Sequence, residues 1–324
     1  MMNKLTYPFE SKSSLSDDLK IERKKASTSL AVKWAHTVNS QQLLDEALNG
    51  DFNVIEPDIT LGKILKDGSV LSKVAHPRLI SSDLSLGSFL VQVKLFNLDD
   101  PDKIKCIKLD FKSIEAFEAA LDRLKRTIPK MNHPIWLSAD IAECPANDSH
   151  IPSIEAKRFP TSCQKAQFKQ AVLSLGWTTQ WSEDPIEGTS YTSKNIAATL
   201  TLMKENNIVD TGHCITFPLR AGVAANSESV LHELIRSAEA TNDCTITIWS
   251  APFDYVSFKK LRQLILLCGT TKIYLDVPTD QSNLSALRLI ANLLRSFTKR
   301  SPLYFSVGSL VMFLINLLLK KSNF

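Results

Sequence analysis

The sequence predicts a single (β/α)8 barrel of the TIM type, and three observations carry that expectation. Short β-branched runs alternate with helical runs from residue 31 to 298, the pattern of a parallel sheet with helical crossovers. Eight strand–helix units fit that span, close to the roughly 250 residues of a barrel. No G-x-G-x-x-G or G-x-x-x-x-G-K-[ST] loop follows any strand, so a doubly wound nucleotide-binding sheet lacks its fingerprint.

Each element has a local reason. The first strand, 32–36, ends on His36, and Ser40 is placed to cap a helix over 41–48. The second strand, 53–59, holds Glu56-Pro57-Asp58. A helix over 84–95 leads to the third strand, 105–110. Ser113 is placed to cap the helix 114–126, which precedes the fourth strand, 135–140. A helix over 162–169 and the fifth strand, 171–176, follow. The helix 192–206 leads to the sixth strand, 214–219. Ser227 opens the helix 227–239 before the seventh strand, 245–249. The helix 255–267, the eighth strand, 272–277, and a helix over 284–297 complete the cycle.

Hydrophobic residues make up 44% and charged residues 22% of the 324, which excludes a disordered chain. A net charge of +4 with no long basic block gives nucleic-acid binding no support. The six cysteines form no C-x-x-C pair and no zinc spacing, so they are expected to be buried thiols in a reducing compartment.

The ends differ from the middle. Residues 1–30 are polar and read as a disordered arm. They lack the apolar core of a signal peptide, so a cytoplasmic location is expected. In the C-terminal segment, 299–324, residues 303–319 include 13 apolar side chains among 17, flanked by Lys299-Arg300 and Lys320-Lys321. As a helix they would span about 25 Å against a hydrocarbon core of about 30 Å. Two readings stay open, a tail anchor contacting a membrane and an extra segment packed on the barrel.

In a barrel of this type the chemistry sits at the C-terminal strand ends. Those ends carry His36, Glu56 with Asp58, Asp110, Asp140, Trp177, Arg220, Trp249 and Asp276. Residues i and i+2 of a strand share a face, so Glu56 and Asp58 point into one space and Asp110 joins them from the next strand. Three hard oxygen donors suit Mg2+ or Ca2+. The competing expectation is a paired network with Arg220, Lys108 or Lys112. His36 and His76 are candidates for general acid and base. Trp177 and Trp249 either line a pocket or pack in the core.

These residues resemble a known family. Trp34-Ala35-His36 with Asn39-Ser40, Glu56-Pro57-Asp58-Ile59, His76-Pro77, Lys108-Leu109-Asp110-Phe111-Lys112-Ser113, Ala139-Asp140-Ile141, Leu175-Gly176-Trp177-Thr178-Thr179, Phe217-Pro218-Leu219-Arg220 and Tyr274-Leu275-Asp276 look like the menorin family over about residues 31–280. That family in turn resembles phospholipase C-like phosphodiesterase barrels, including glycerophosphodiester phosphodiesterases and sphingomyelinase D-type enzymes. The resemblance implies that Glu56, Asp58 and Asp110 bind a divalent cation, Mg2+ or Ca2+. It implies that His36 and His76 handle protons at a small phosphodiester or lipid headgroup. Lys112, Asp140, Trp177, Arg220 and Trp249 would then hold the substrate. Thr37-Val38 follow the first histidine where the enzymes usually carry Arg-Gly, and Pro77 follows the second where they carry an acid. The resemblance leaves a second function open, a non-catalytic barrel that recognises a protein partner.

Overall fold

The computed structural model describes residues 29–64, 70–74, 81–131, 133–142, 157–166, 168, 171–178, 189–209, 212–250 and 254–277. The arm up to residue 28, His76, the helix expected over 284–297 and the apolar run 303–319 lie outside them. Among the described residues, no helix is long and apolar enough to cross a membrane.

The elements run β1 (Trp34–Ala35), α1 (Gln41–Asn49), β2 (Val54–Ile55), β3 (Asp58–Ile64), β4 (Val70–Val74), β5 (Ser81–Ser82), α2 (Leu86–Asp99), β6 (Cys106–Phe111), α3 (Ile114–Thr127), β7 (Ile135–Ala142), α4 (Arg158–Lys165), β8 (Ala171–Trp177), α5 (Ser193–Glu205), β9 (Ile215–Arg220), α6 (Ala221–Ala225), α7 (Glu228–Glu239), β10 (Cys244–Trp249), α8 (Phe258–Cys268) and β11 (Ile273–Asp276). Eight parallel strands follow one another in the order β1-β2-β6-β7-β8-β9-β10-β11. This is a nearly closed α/β barrel of the TIM type, as the alternation predicted. Side chains bridge the seam: Trp34 and Tyr274 meet edge to face at 6.0 Å, and His36 bonds to Asp276 across it.

All eight expected strands form. Helix starts follow short-range hydrogen-bond chemistry. Ser40 and Ser113 cap α1 and α3 as expected, accepting from Leu43 N and Ala116 N. Thr192 caps α5 in a reciprocal box with Asn195. Ser227 takes the cap position of α7 without capping it. Its hydroxyl instead accepts from Tyr191 N and donates to Val223 O. The fourth helix lies four residues earlier than expected, because Phe159, Pro160 and Cys163 are the side chains it buries.

One addition went unseen in the sequence. The second strand breaks at Glu56-Pro57 and resumes as β3, which pairs with β6 through Asp58↔Asp110 and Ile59↔Phe111. It then overshoots the rim and turns back against β4 in an antiparallel pair. Asp67-Gly68, between two β-compatible runs, is the turn signal that could have revealed it.

Strand alternation sorts the side chains into two sets. Ile55, Ile107, Leu109, Leu137, Leu173, Phe217, Ile246 and Leu275 face outward into the main core under the helices. Trp34, Val54, Cys106, Trp136, Val172, Cys214 and Tyr274 form a separate cluster. Trp34, Trp136 and Tyr274 come from strands that are not all neighbours yet lie 5.9–6.1 Å apart. They can meet only through the barrel interior, so they plug its floor. Above them the lumen turns polar, with Ser138 bonded to Ser174 and Thr216 to Thr247.

Candidate functional site at the barrel mouth

Above the hydroxyl layer, the same inward parity delivers Glu56, Asp58, Lys108, Asp110, Asp140, Arg220, Trp249 and Asp276 to the C-terminal end of the lumen. His36 sits just beyond β1, on the seam. Thr37 follows with φ +53, a left-handed conformation that costs a non-glycine residue about 1–2 kcal/mol. The turn lets Val38 N donate to Glu56 O at 2.9 Å and brings Asn39 onto Asp58. Asn39 Nδ2 donates to Asp58 Oδ2, and its Oδ1 accepts from Asp58 N.

His36 Nδ1 lies 2.9 Å from Glu56 Oε2 and 3.1 Å from Asp276 Oδ2. Both carboxylates are buried, whereas the imidazole side chain is 47% exposed. Burial works against the imidazolium, but the two carboxylates outweigh it and hold the His36 pKa well above its usual value. Asp276 pays the desolvation of a buried acid, yet His36 and Lys108 draw it down to about 2. The pair is therefore ionic at neutral pH.

Two lysines neutralise the remaining acids. Lys108 is buried with its Nζ 2.7 Å from Glu56 Oε1. Burial disfavours its charge, but Glu56, Asp110 and Asp276 more than compensate, and its pKa is raised. Lys112 bridges Asp58 Oδ1, at 2.8 Å, and Asp110 Oδ2. Asp140 differs. Burial first, then the Asp110 carboxylate, pushes its pKa up to about 7. Its carboxyl lies over Gly176, where a Cβ would sit 2.3 Å from Asp140 Oδ1; this glycine is required by close approach.

The structure thus gathers His36, Glu56, Asp58, Asp110, Lys112, Asp140, Arg220 and Trp249 around one opening. Trp177 is not among them. It shares parity with Leu173 and Leu175 and packs outside the sheet against Tyr191 and Phe217, so it is core rather than pocket lining. Arg220 reaches the mouth, but its guanidinium grips Asp254 with Nε at 2.9 Å and Nη2 at 2.5 Å and lies 5.8 Å from the Trp249 ring centroid. That grip secures the segment after β10.

Among the described residues, His36, Glu56 and Asp276 are the three potential metal-ligating side chains whose donor atoms lie within 4.8 Å of one another. Glu56, Asp58 and Asp110 share the rim but are partitioned by the two lysines. Asp276 and Asp254 had no role assigned from sequence. Asp276 was visible at a strand end, but its partner is 240 residues away. Asp254 follows a strand in a loop, and no spacing rule ties it to Arg220.

The family model and a human relative both span the barrel. The model of the Menorin N-terminal domain matches residues 28–282. Human Protein FAM151B is 30% identical over 257 residues, covering 78% of this chain and 84% of that protein. Among solved structures, a D-psicose 3-epimerase determined in the presence of D-fructose is 10% identical. It covers 78% of this chain and 89% of its own, with a TM-score of 0.40. A 2,3-dimethylmalate lyase is 9% identical, covers 90% and 92%, and also has a TM-score of 0.40.

Proposed function

This chain belongs to the menorin family, and we propose that the mouth of its barrel is a metal-assisted phosphodiesterase site acting on a small phosphodiester or lipid headgroup. The observation that carries the reading is the imidazole of His36 pinned between two buried carboxylates. With Nδ1 committed to Glu56 and Asp276, proton exchange falls to Nε2. The raised pKa keeps the ring protonated, suiting it to give a proton to a leaving oxygen. His76 is proposed as the second proton-handling group. Lys112 is proposed to meet the phosphate, and Trp249 to wall the pocket.

The rim's charge supports a cation. Five carboxylates, those of Glu56, Asp58, Asp110, Asp140 and Asp276, face two ammonium groups and one imidazolium. The surplus is negative; burial first, and then the neighbouring Asp110 carboxylate, raises the Asp140 pKa. Hard carboxylate oxygens of this kind suit Mg2+ or Ca2+; Glu56, Asp58 and Asp110 would hold the ion once it displaced the ammonium groups of Lys108 and Lys112 that now partition them. Such an ion, when bound, would neutralise charge developing on phosphate oxygens. This chain's own part is to orient His36, to present Lys112, and to hold the acids desolvated on rigid strand ends.

A second reading has its own support. Lys108 and Lys112 already pair with Glu56, Asp58 and Asp110, so the network can stand without an ion, as in a barrel that recognises a protein partner. Calorimetric titration of the full chain with MgCl2 and CaCl2 separates the two. We expect one cation per chain, with binding lost in Glu56→Gln/Asp58→Asn. With bis(4-nitrophenyl) phosphate as probe, turnover should fall about 100-fold or more in His36→Asn. A folded chain that binds neither ion and cleaves no phosphodiester would favour the recognition barrel.

A further inference from the structure

On the outside of the barrel, α2 has apolar side chains on two opposite faces. Leu86, Phe89, Leu90 and Val93 are buried in the main core. Val91, Leu95 and Leu98 are 53%, 54% and 59% exposed. An apolar face on both sides of a helix calls for a second partner.

The spacing and charges of the outer face identify that partner. Ser88, Val91, Leu95 and Leu98 are all exposed and stand three, four and three residues apart. That is the a-d-a-d rhythm of a coiled-coil seam, with its last three positions apolar. Lys94 then takes position g and Asp99 the e position that follows it. Among the described residues, neither Lys94 nor Asp99 forms an ion pair. The preceding g position is Gly87, covered by the guanidinium of Arg123, whose Cζ lies 2.7 Å from where a Cβ would stand. The e position after it is the neutral Gln92, bonded to Gln41 of α1. The helix ends at Asp99. Asp100, Asp102 and Lys103 lie in the turn beyond it, where Lys103 pairs with Asp100 at 2.9 Å.

We infer that the outer face of α2 docks a second copy of this chain, the two α2 helices lying parallel about a two-fold axis. Charge complementarity selects this occupant and this orientation. In a parallel pair, g faces the e position that follows it on the other helix. Lys94 therefore meets the partner's Asp99, and the two-fold axis makes the same contact twice. Arg123, lying over Gly87, meets the partner's Gln92, so no like charges oppose. An antiparallel pair would set Lys94 against Lys94 and Asp99 against Asp99. Free peptides of 14 residues would be marginal helices. Here the buried face of α2 has already ordered the helix, so association does not bear that cost. Three half-exposed side chains per copy offer well below the ~800 Å2 per partner of a standard interface. The dimer is therefore weak, with a Kd on the order of 100 μM. Because α2 runs back against the strands, a parallel seam turns both barrel mouths to the same side.

Sedimentation equilibrium of the full chain, up to about 500 μM given that expected Kd, tests this. A reversible monomer–dimer equilibrium should appear, and Leu95→Glu should raise its Kd at least ~30-fold. Lys94→Glu and Asp99→Lys should each raise it about 5–10-fold, because symmetry turns two attractive pairs repulsive. The double variant Lys94→Glu/Asp99→Lys should return it to within about threefold of the parent, since the pairs re-form with their signs exchanged. Orientation is read separately. Ser88→Cys puts two thiols face to face at the start of a parallel seam, within disulfide reach. It should give a disulfide-linked dimer at least ~10-fold faster than the parent under mild oxidation, and adding Leu95→Glu should remove that gain. Thermal melting reports whether each variant keeps its barrel. Should Leu95→Glu lose it, the charge series decides. A parent chain that stays monomeric to the top of the range would overturn the inference. So would a dimer indifferent to Leu95→Glu, a charge series without rescue, or a Ser88→Cys variant that links no faster than the parent.

Discussion

Replacing Asp276 by Asn keeps the shape of the side chain and removes one of the two charges that hold His36. The Asp276 pKa drops from 3.8 to about 2 in the fold. A drop of that size corresponds to about 2 kcal/mol. His36 is half exposed, so solvent screening reduces the expected loss to about 1–2 kcal/mol. The pH window follows from the signs. Asp276, depressed in the fold, contributes stability above about pH 4 that is lost as pH falls through 2. His36, raised in the fold, contributes stability below about pH 6.5 that is lost as pH climbs through its folded value. The full effect therefore belongs near pH 5–6. Urea unfolding at pH 6 should show it, with a melting point lower by about 2–8 °C. A proton NMR titration of the His36 ring should show its pKa falling back toward the ordinary histidine value, because one of the two carboxylates that raise it is gone. An unmoved His36 titration together with a stability loss below about 0.5 kcal/mol would refute the account of the clamp.

Lys108→Met leaves Glu56 Oε1 without its buried partner while His36 keeps Oε2, so it should destabilise the barrel by about 2–3 kcal/mol; Lys108→Met/Glu56→Gln should recover part of that in the same urea melts. Gly176→Ala places a methyl 2.3 Å from Asp140 Oδ1. It should cost about 1–3 kcal/mol and move the Asp140 carboxyl titration away from about 7, as read by carbonyl-carbon NMR. Phe117→Ala removes a ring that meets both Phe111, at 5.0 Å, and Phe159, at 4.6 Å; thermal unfolding should register about 3–5 kcal/mol.

Much of the site was legible because a strand's side-chain period is local. Glu56 and Asp58 stand two apart, so the alternation carries both to one face even across the break at Glu56-Pro57, and β6 brings Asp110 alongside in register with Asp58. The same period would have turned Trp177 outward, since it stands an odd number of residues from the inward Val172. Its place just past a strand end obscured that. The β3–β4 pair was missed because it belongs to an excursion outside the repeating unit, where the barrel pattern gives no guidance.

The amino-acid sequence by itself determined the alternation of eight strands and their crossovers, the caps at Ser40 and Ser113, and which acids and cations face the lumen. Each is settled by neighbours within a few residues, through backbone geometry and hydrophobic period. The tertiary structure decided who partners whom. Lys108 takes Glu56, Lys112 bridges Asp58 and Asp110, Arg220 turns to Asp254 and His36 finds Asp276. These pairings join groups brought together only when the sheet curls round to its seam. Charge interactions depend on distances and desolvation that exist nowhere along the chain until that closure is made.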